Sequence, residues 1–401
     1  MPYTGCVYNP TNMVRKILSR IVVMLFGLLL GFTLIEGLMR LFRPVLPPVV
    51  QLMMRDVKKH PFTQNTILPA PAWRPVDVFQ MSVVPGLDNE LQYPNANVNF
   101  HVSSKNWLNP DSNIGFRVDT VDWEPRWPVD IVTVGDSFTF CFTEYEDCWV
   151  RRLETDHGYS VVNLGQGATG SVSHANILFT FGLPYEPDVV LWQWYGNDNN
   201  EDYGLIYQWG ETDSTDRSSI DSKGWLTQNS IVFAMVDILT NSSDFGSESY
   251  LSQADTHAVE VAGDPMFFGR AYSWETADLS LEKNRLGQEE GFQAILAARQ
   301  RLAEDGIELI IFPVPYKEEV YRPLIDTQSD FDLQKIDRME ENRAALMAFC
   351  LENELNCFDP TAELANHALN GETLYLSQDT HLNARGNELL LEIIAKELSK
   401  P

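Results

Sequence analysis

Ser137 stands in the run Val134-Gly135-Asp136-Ser137-Phe138-Thr139-Phe140, directly after a short apolar stretch. A serine at a strand-to-helix turn presents its hydroxyl at a sheet edge, and the backbone N–H groups that follow point toward an oxyanion formed there. The competing reading is a plain helix cap made by Asp136 and Ser137. A second apolar stretch leads into Asn163-Leu164-Gly165-Gln166-Gly167-Ala168-Thr169-Gly170, whose glycines let backbone amides approach a ligand closely. The Gly-Lys-Ser/Thr ending of a phosphate loop is absent from it. A third stretch ends in Trp194-Tyr195-Gly196-Asn197-Asp198, where the side-chain amide of Asn197 can donate to the same point. These three segments offer a hydroxyl, a backbone N–H and an amide N–H. The missing base is in Ser377-Gln378-Asp379-Thr380-His381-Leu382-Asn383, near the C-terminus. A serine hydroxyl is a poor nucleophile until a base takes its proton, and imidazole does so near neutral pH when a carboxylate holds its other nitrogen. Asp379 and His381 are close enough in sequence for that pairing. No CxxC or Cys/His cluster suggests zinc, and this chemistry needs no cofactor.

Such groups need a rigid frame. Apolar runs at 130–134, 159–162, 189–192, 307–312 and, more weakly, 356–358 read as strands. Phe292, Ile295, Leu296, Arg299 and Leu302 follow helical spacing, as do Leu390, Ile393, Ile394 and Leu398. Strands alternating with helices imply a parallel sheet covered on both faces, with catalytic groups beyond the carboxyl ends of its strands. A polar, acidic, Ser-rich insertion at 201–281, with one helix expected at 231–239, interrupts the alternation. It reads either as a lid or substrate-selecting cap or as a tolerated surface excursion.

The 401 residues carry 29 Lys+Arg against 56 Asp+Glu, a formal charge of -27. That excludes nucleic-acid binding by a positive surface. With 44% hydrophobic residues the chain can bury a large core. Near the N-terminus fifteen uncharged residues run from Ile21 to Ile35, and nineteen lie between Arg20 and Arg40. The longer span is about 28 Å of helix, close to the thickness of a bilayer core. No small-x-small cleavage site follows, so an uncleaved signal anchor is expected at 17–39, with 1–16 as a cytoplasmic N-terminus. Arg15, Lys16 and Arg20 precede the span, and Arg40, Arg43, Arg55, Lys58 and Lys59 follow it. The charge count therefore does not choose an orientation. Long domains cross largely regardless of charge, which favours an extracytoplasmic body on the cell membrane. Residues 40–128, rich in Pro, Asn and Trp, read as a linker and small β-rich region, with Val98 to Val102 as a strand. Cys141, Cys148, Cys350 and Cys357 form two locally spaced pairs, open to bridging or to remaining buried thiols.

With the four motifs in this order, the chain resembles an SGNH hydrolase of the GDSL superfamily, whose four blocks centre on Ser, Gly, Asn and His. The resemblance covers about residues 129–398 and implies a three-layer α/β/α, flavodoxin-like fold over 129–400. Gly115-Phe116-Arg117 and Pro315-Tyr316-Lys317-Glu318-Glu319-Val320-Tyr321 further resemble bacterial members with one N-terminal membrane helix, including relatives of alginate O-acetyltransferases. It implies Ser137 as nucleophile, His381 as base, Asp379 as orienting acid, and an oxyanion hole from the Ser137 N–H, a second-block N–H and Asn197. The family's second-block Gly corresponds to Ala168, with Gly167 one position earlier, and either amide can serve. The base motif is Asp-x-His where many members have Asp-x-x-His. Cys141, where such relatives often have Gly, reads as structural. The expected activity is a serine esterase cleaving O-acyl or O-acetyl bonds, with carbohydrate esters among the candidate substrates. An extracytoplasmic polysaccharide O-acetyltransferase using the same triad is the alternative. A third reading is an anchored, non-catalytic carbohydrate-binding protein stacking sugars on Trp192, Trp194, Trp209 and Trp225.

Overall fold

The computed structural model describes residues 10–42, 85–93, 98–108, 114–206 and 257–400, with short pieces at 62–63, 66–67, 78–79, 82–83, 230 and 232–233. Most of the expected helix at 231–239 lies outside these residues, as do Cys6, Trp209 and Trp225.

The apolar runs form a five-stranded sheet: β1 (Ile131–Val134), β2 (Val161–Asn163), β3 (Val189–Trp194), β4 (Glu308–Pro313) and β5 (Asn356–Cys357). All neighbours are parallel, in the order β2-β1-β3-β4-β5. Side-chain alternation sends the strands' residues to two cores. Ile131, Leu191, Ile310 and Phe312 pack with Trp149, Leu153, Leu364, Leu390 and Ile394 on one face. Val132, Val134, Val190, Trp192 and Ile311 pack with Val172, Ile177, Ile295 and Leu302 on the other. The sheet is therefore the middle of three layers. Its helices include Trp149–Thr155, Thr361–Leu369 and Ala384–Leu398 on the first face, and Ser171–Ile177 and Glu282–Asp305 on the second. A wholly buried aromatic such as Trp192 contributes about 2–3 kcal/mol of hydrophobic stabilisation. The long helix Glu282–Asp305 stops at Gly306, whose φ of 73° is left-handed backbone that suits glycine.

In this strand order the chain moves one way from β1 to β2 and the opposite way from β3 to β4. The crevice beyond the carboxyl ends of β1 and β3 is thus where an open α/β sheet places its ligand. Ahead of β1, strands Asp88–Tyr93, Val98–Lys105 and Phe116–Val118 make an antiparallel sheet. Ile114 and Phe116 belong to the same core as Val132 and Val134, which fastens this sheet to the main one. Two disulfides, Cys141–Cys148 and Cys350–Cys357, close the two cysteine pairs.

His257–Val261 and Asp264–Phe268 form a hairpin, followed by Gly269, Arg270 and helix Ala271–Ala277. At the other end, helix Pro10–Phe42 includes a 21-residue span, Val22–Phe42, long and apolar enough to cross a membrane, and no residue of its most apolar stretch is buried.

Candidate active site

Ser137 is the first residue of helix Ser137–Phe140, reached from β1 through Gly135. A Cβ on Gly135 would lie 2.2 Å from Thr139 Oγ1 and 2.4 Å from Gln193 Oε1, so the turn closes only around glycine. The Asp136 carboxylate accepts from Phe138 N at 2.9 Å and caps the helix. Gln193 of β3 accepts from Asp136 N at 3.0 Å and from Thr139 Oγ1 at 2.9 Å, pinning the turn to the neighbouring strand. Burial pushes the Asp136 carboxyl up to about 6, against the pull of Phe138 N–H and His381. Capping falls to Asp136 and leaves the serine hydroxyl free for a different contact.

That contact is His381. Its Nε2 lies 2.8 Å from Ser137 Oγ, and its Nδ1 hydrogen-bonds Asp379 Oδ1. Asp379 also accepts from His381 N at 3.0 Å and has Arg270 Nη1 3.8 Å from its second oxygen. Burial opposes the charge on Asp379, yet His381 and Arg270 together hold it below the usual carboxylate range. The loop carrying both residues is fixed by buried Lys317, whose Nζ donates to the carbonyls of Leu376 (2.8 Å), Ser377 (2.8 Å) and Asp379 (3.2 Å). Burial lowers this ammonium to about 7, despite Glu318 and Asp379 nearby.

One ring of the site depends on Arg117. Phe142 stacks on the imidazole of His381, ring centroids 4.4 Å apart. The loop bearing Phe142 is held by Arg117, which donates to the carbonyls of Phe140 (2.9 Å), Thr143 (2.6 Å) and Cys141, and to His101 O at 2.9 Å. The Arg117 guanidinium is buried, and burial lowers it to about 10.

The second-block loop, expected to donate to an oxyanion, is braced by Thr169 Oγ1 donating to Gln166 O at 2.7 Å and by Gln166 Nε2 donating to Gly115 O at 2.8 Å. Ala168 takes a left-handed φ of 53° and is partly exposed, whereas Gly167 is buried. An alanine thus occupies backbone space that glycine fits more easily. Asn197 follows β3 and is mostly buried; its Nδ2 lies 3.3 Å from Tyr272 Oη, and that hydroxyl lies 2.6 Å from Glu201 Oε1. Behind the loop, Ser171 Oγ donates to Asp198 Oδ2 at 3.0 Å. Burial and the neighbouring Asp136 and Asp202 raise Asp198 well above the usual carboxylate range.

The structure therefore joins Ser137, His381 and Asp379 in one chain of hydrogen bonds and sets Ala168 and Asn197 on adjoining loop ends. Trp192 and Trp194 are core residues, unavailable for stacking on a ligand. Gln193, Arg270 and Tyr272 lie outside the residues that carry the motif roles, and Arg117 and Lys317 stand within motifs whose spacing gives them no role.

Residues 272–401 match the family model of the SGNH hydrolase-like domain of the acetyltransferase AlgX. That segment contains Asp379 and His381; Ser137 and Asn197 lie outside it. No curated protein matches the chain. Among solved structures, similarity is found to the acetyl xylan esterase AlAXEase, at 12% identity and TM-score 0.37, covering 67% of this chain and 98% of that one. It extends to a catalytic mutant of an acetylxylan esterase from Geobacillus stearothermophilus, at 12% identity and TM-score 0.35, covering 68% and 95%. A GDSL-like lipase from Bacteroides thetaiotaomicron VPI-5482 is 10% identical with TM-score 0.32, covering 67% and 87%. The five-stranded parallel sheet has the layered fold of SGNH-like hydrolases, and the family match covers residues 272–401 of the chain.

Proposed function

We propose that the protein is a serine esterase that cleaves O-acyl esters, acetyl esters of carbohydrate among them, through an acyl-enzyme on Ser137. The observation carrying this reading is the Ser137–His381–Asp379 relay, with 2.8 Å between nucleophile and base. His381 Nε2 takes the hydroxyl proton as Ser137 Oγ bonds to the ester carbonyl carbon. The carbonyl oxygen becomes the oxyanion, accepting from the Ser137 N–H, from a second-block N–H of Gly167 or Ala168, and from the amide of Asn197. Asp379 stays ionised and stabilises the imidazolium. As the tetrahedral intermediate collapses, His381 returns the proton to the leaving alkoxide. Water, deprotonated by His381, then attacks the acyl-enzyme and releases the acid. The apolar N-terminal helix would anchor this body to the membrane, on its extracytoplasmic side.

The match to a domain named for an acetyltransferase supports a second reading, in which a sugar hydroxyl replaces water in the last step. Both readings share the acyl-enzyme. The full chain in detergent is expected to hydrolyse p-nitrophenyl acetate and to react with a fluorophosphonate at Ser137, as read by peptide mapping. Ser137→Ala is expected to lower hydrolysis by about 10³-fold or more. Equal hydrolysis by both proteins, with no adduct on Ser137, removes the reading. Supplying an acyl donor with oligosaccharide acceptors, and weighing products by mass spectrometry, separates hydrolase from transferase.

A further inference from the structure

The segment 257–277 touches both ends of the site. Phe267 N donates to Ser377 O at 2.9 Å and Gly269 N to Glu318 Oε1 at 3.2 Å, which ties the hairpin to the loop of Asp379 and His381. Arg270 faces Asp379, and two residues later Tyr272 faces Asn197.

The hydrogen-bond polarity at Tyr272 is fixed by its partners. A carboxylate only accepts, so at 2.6 Å from Glu201 Oε1 the phenol must donate its one proton there. Its oxygen is then an acceptor, and only the nitrogen side of the Asn197 amide can satisfy it at 3.3 Å. The amide's other face, Oδ1, has no hydrogen-bond partner among the described residues, so nothing else there decides which way the amide points. Without the phenol, the amide can rotate by half a turn and present oxygen to the oxyanion, changing a donor into a repulsive acceptor. Burial and Glu201 raise the Tyr272 hydroxyl well above its ordinary value, so it keeps its proton over the working range.

We infer that Tyr272, held by Glu201, is a positioning residue that sets the orientation of the Asn197 amide and so completes the oxyanion hole from outside the strand-end motifs. This rests on the acyl-enzyme reading above. It assigns the end of the polar insertion a part in transition-state stabilisation.

The test uses the full chain in detergent, with wild type and the variants Tyr272→Phe, Asn197→Ala and the double variant. Two rates are followed: p-nitrophenyl acetate turnover and phosphonylation of Ser137 by a fluorophosphonate. The expected result is that Tyr272→Phe lowers kcat and the phosphonylation rate at least tenfold, with KM within about twofold of wild type. Asn197→Ala is expected to lose about 10²-fold, and the double variant no more than Asn197→Ala alone. A purely structural role would instead multiply the two losses and lower the unfolding temperature in step. Glu201→Ala gives the same kinetic loss by a different cut, and Glu201→Gln, which keeps an acceptor oxygen, restores most of it. The inference is overturned if Tyr272→Phe and Glu201→Ala both keep wild-type rates, or if their losses multiply with that of Asn197→Ala. Turnover unaffected by Ser137→Ala would instead refute the parent reading, a distinct outcome.

Discussion

Arg117 donates to four main-chain carbonyls in two segments, and its planar fork is what lets one side chain reach them all. Its guanidinium also sits about equally far, 5.1–5.2 Å, from the rings of Phe100, Phe140 and Tyr145. A buried cation surrounded this way is stabilised because both terminal nitrogens donate to carbonyls and three rings flank the guanidinium. Arg117→Lys keeps the charge but supplies one point donor in place of the fork, stranding buried carbonyls of the loop after the nucleophile helix. Stability is expected to fall by about 2–4 kcal/mol in urea unfolding, since each lost charge-assisted bond is worth about 1.5–3 kcal/mol. Phe142 should lose its place on the His381 ring at the same time, so kcat falls even at temperatures where the variant is fully folded. A variant as stable as wild type would show that the carbonyl clamp contributes nothing.

At the scale of elements, the base loop is held by a helix about sixty residues earlier in the chain as well as by the hydrogen bonds of its own turn. Helix Lys317–Val320 begins right after β4, and its first residue delivers Lys317 to three carbonyls of the loop. The Lys317 ammonium sits at about 7 in the folded protein and near its ordinary value when unfolded. Between those two values the unfolded chain holds the extra proton, so stability rises with pH from about 7 upward and the cost of the buried charge is greatest below. Lys317→Met should remove that slope while lowering stability at all pH values, which denaturant midpoints measured from pH 6 to 10 would register. An unchanged slope would mean that another group titrates there. The five strands were legible because each is an apolar run between polar helices, and Ser137, Asn197 and His381 because each follows such a run or precedes the last helix. Arg117 and Tyr272 were not, because their partners lie 16 to 26 and 71 to 75 residues away and have no local spacing rule. The hairpin 257–268 did leave a signal: alternating His-Ala-Val-Glu-Val meets Ala262-Gly263, both with positive φ as the tight primed turn requires.

For the whole molecule, the two disulfides and the N-terminal apolar helix bear on one question, whether that helix carries the body across a membrane. Each bridge closes a loop with a sequence separation of 7, which restricts the unfolded chain by about 2.5 kcal/mol in the loop-entropy account. Cys141–Cys148 fixes the segment between the nucleophile helix and helix Trp149–Thr155, while Cys350–Cys357 ties helix Leu333–Glu352 to the edge strand β5. Such bridges persist in an oxidising compartment and are reduced in the cytosol. If helix Pro10–Phe42 carries the body across the membrane, all four of these cysteines are oxidised in the cell. Cells lysed in acid, then alkylated before and after reduction, should yield protein with no more than one of its five cysteines, Cys6, open to the first reagent. A body left in the cytosol would take five labels. Cys350→Ser with Cys357→Ser should lower the urea midpoint by an amount equal to about 2 kcal/mol in the oxidised protein. The same pair of substitutions made in fully reduced protein should change it little, since the bridge is already open. Five labels in the cell would place the catalytic body inside and overturn the extracytoplasmic assignment. They would leave the Ser137–His381 geometry untouched, so topology and chemistry are tested apart.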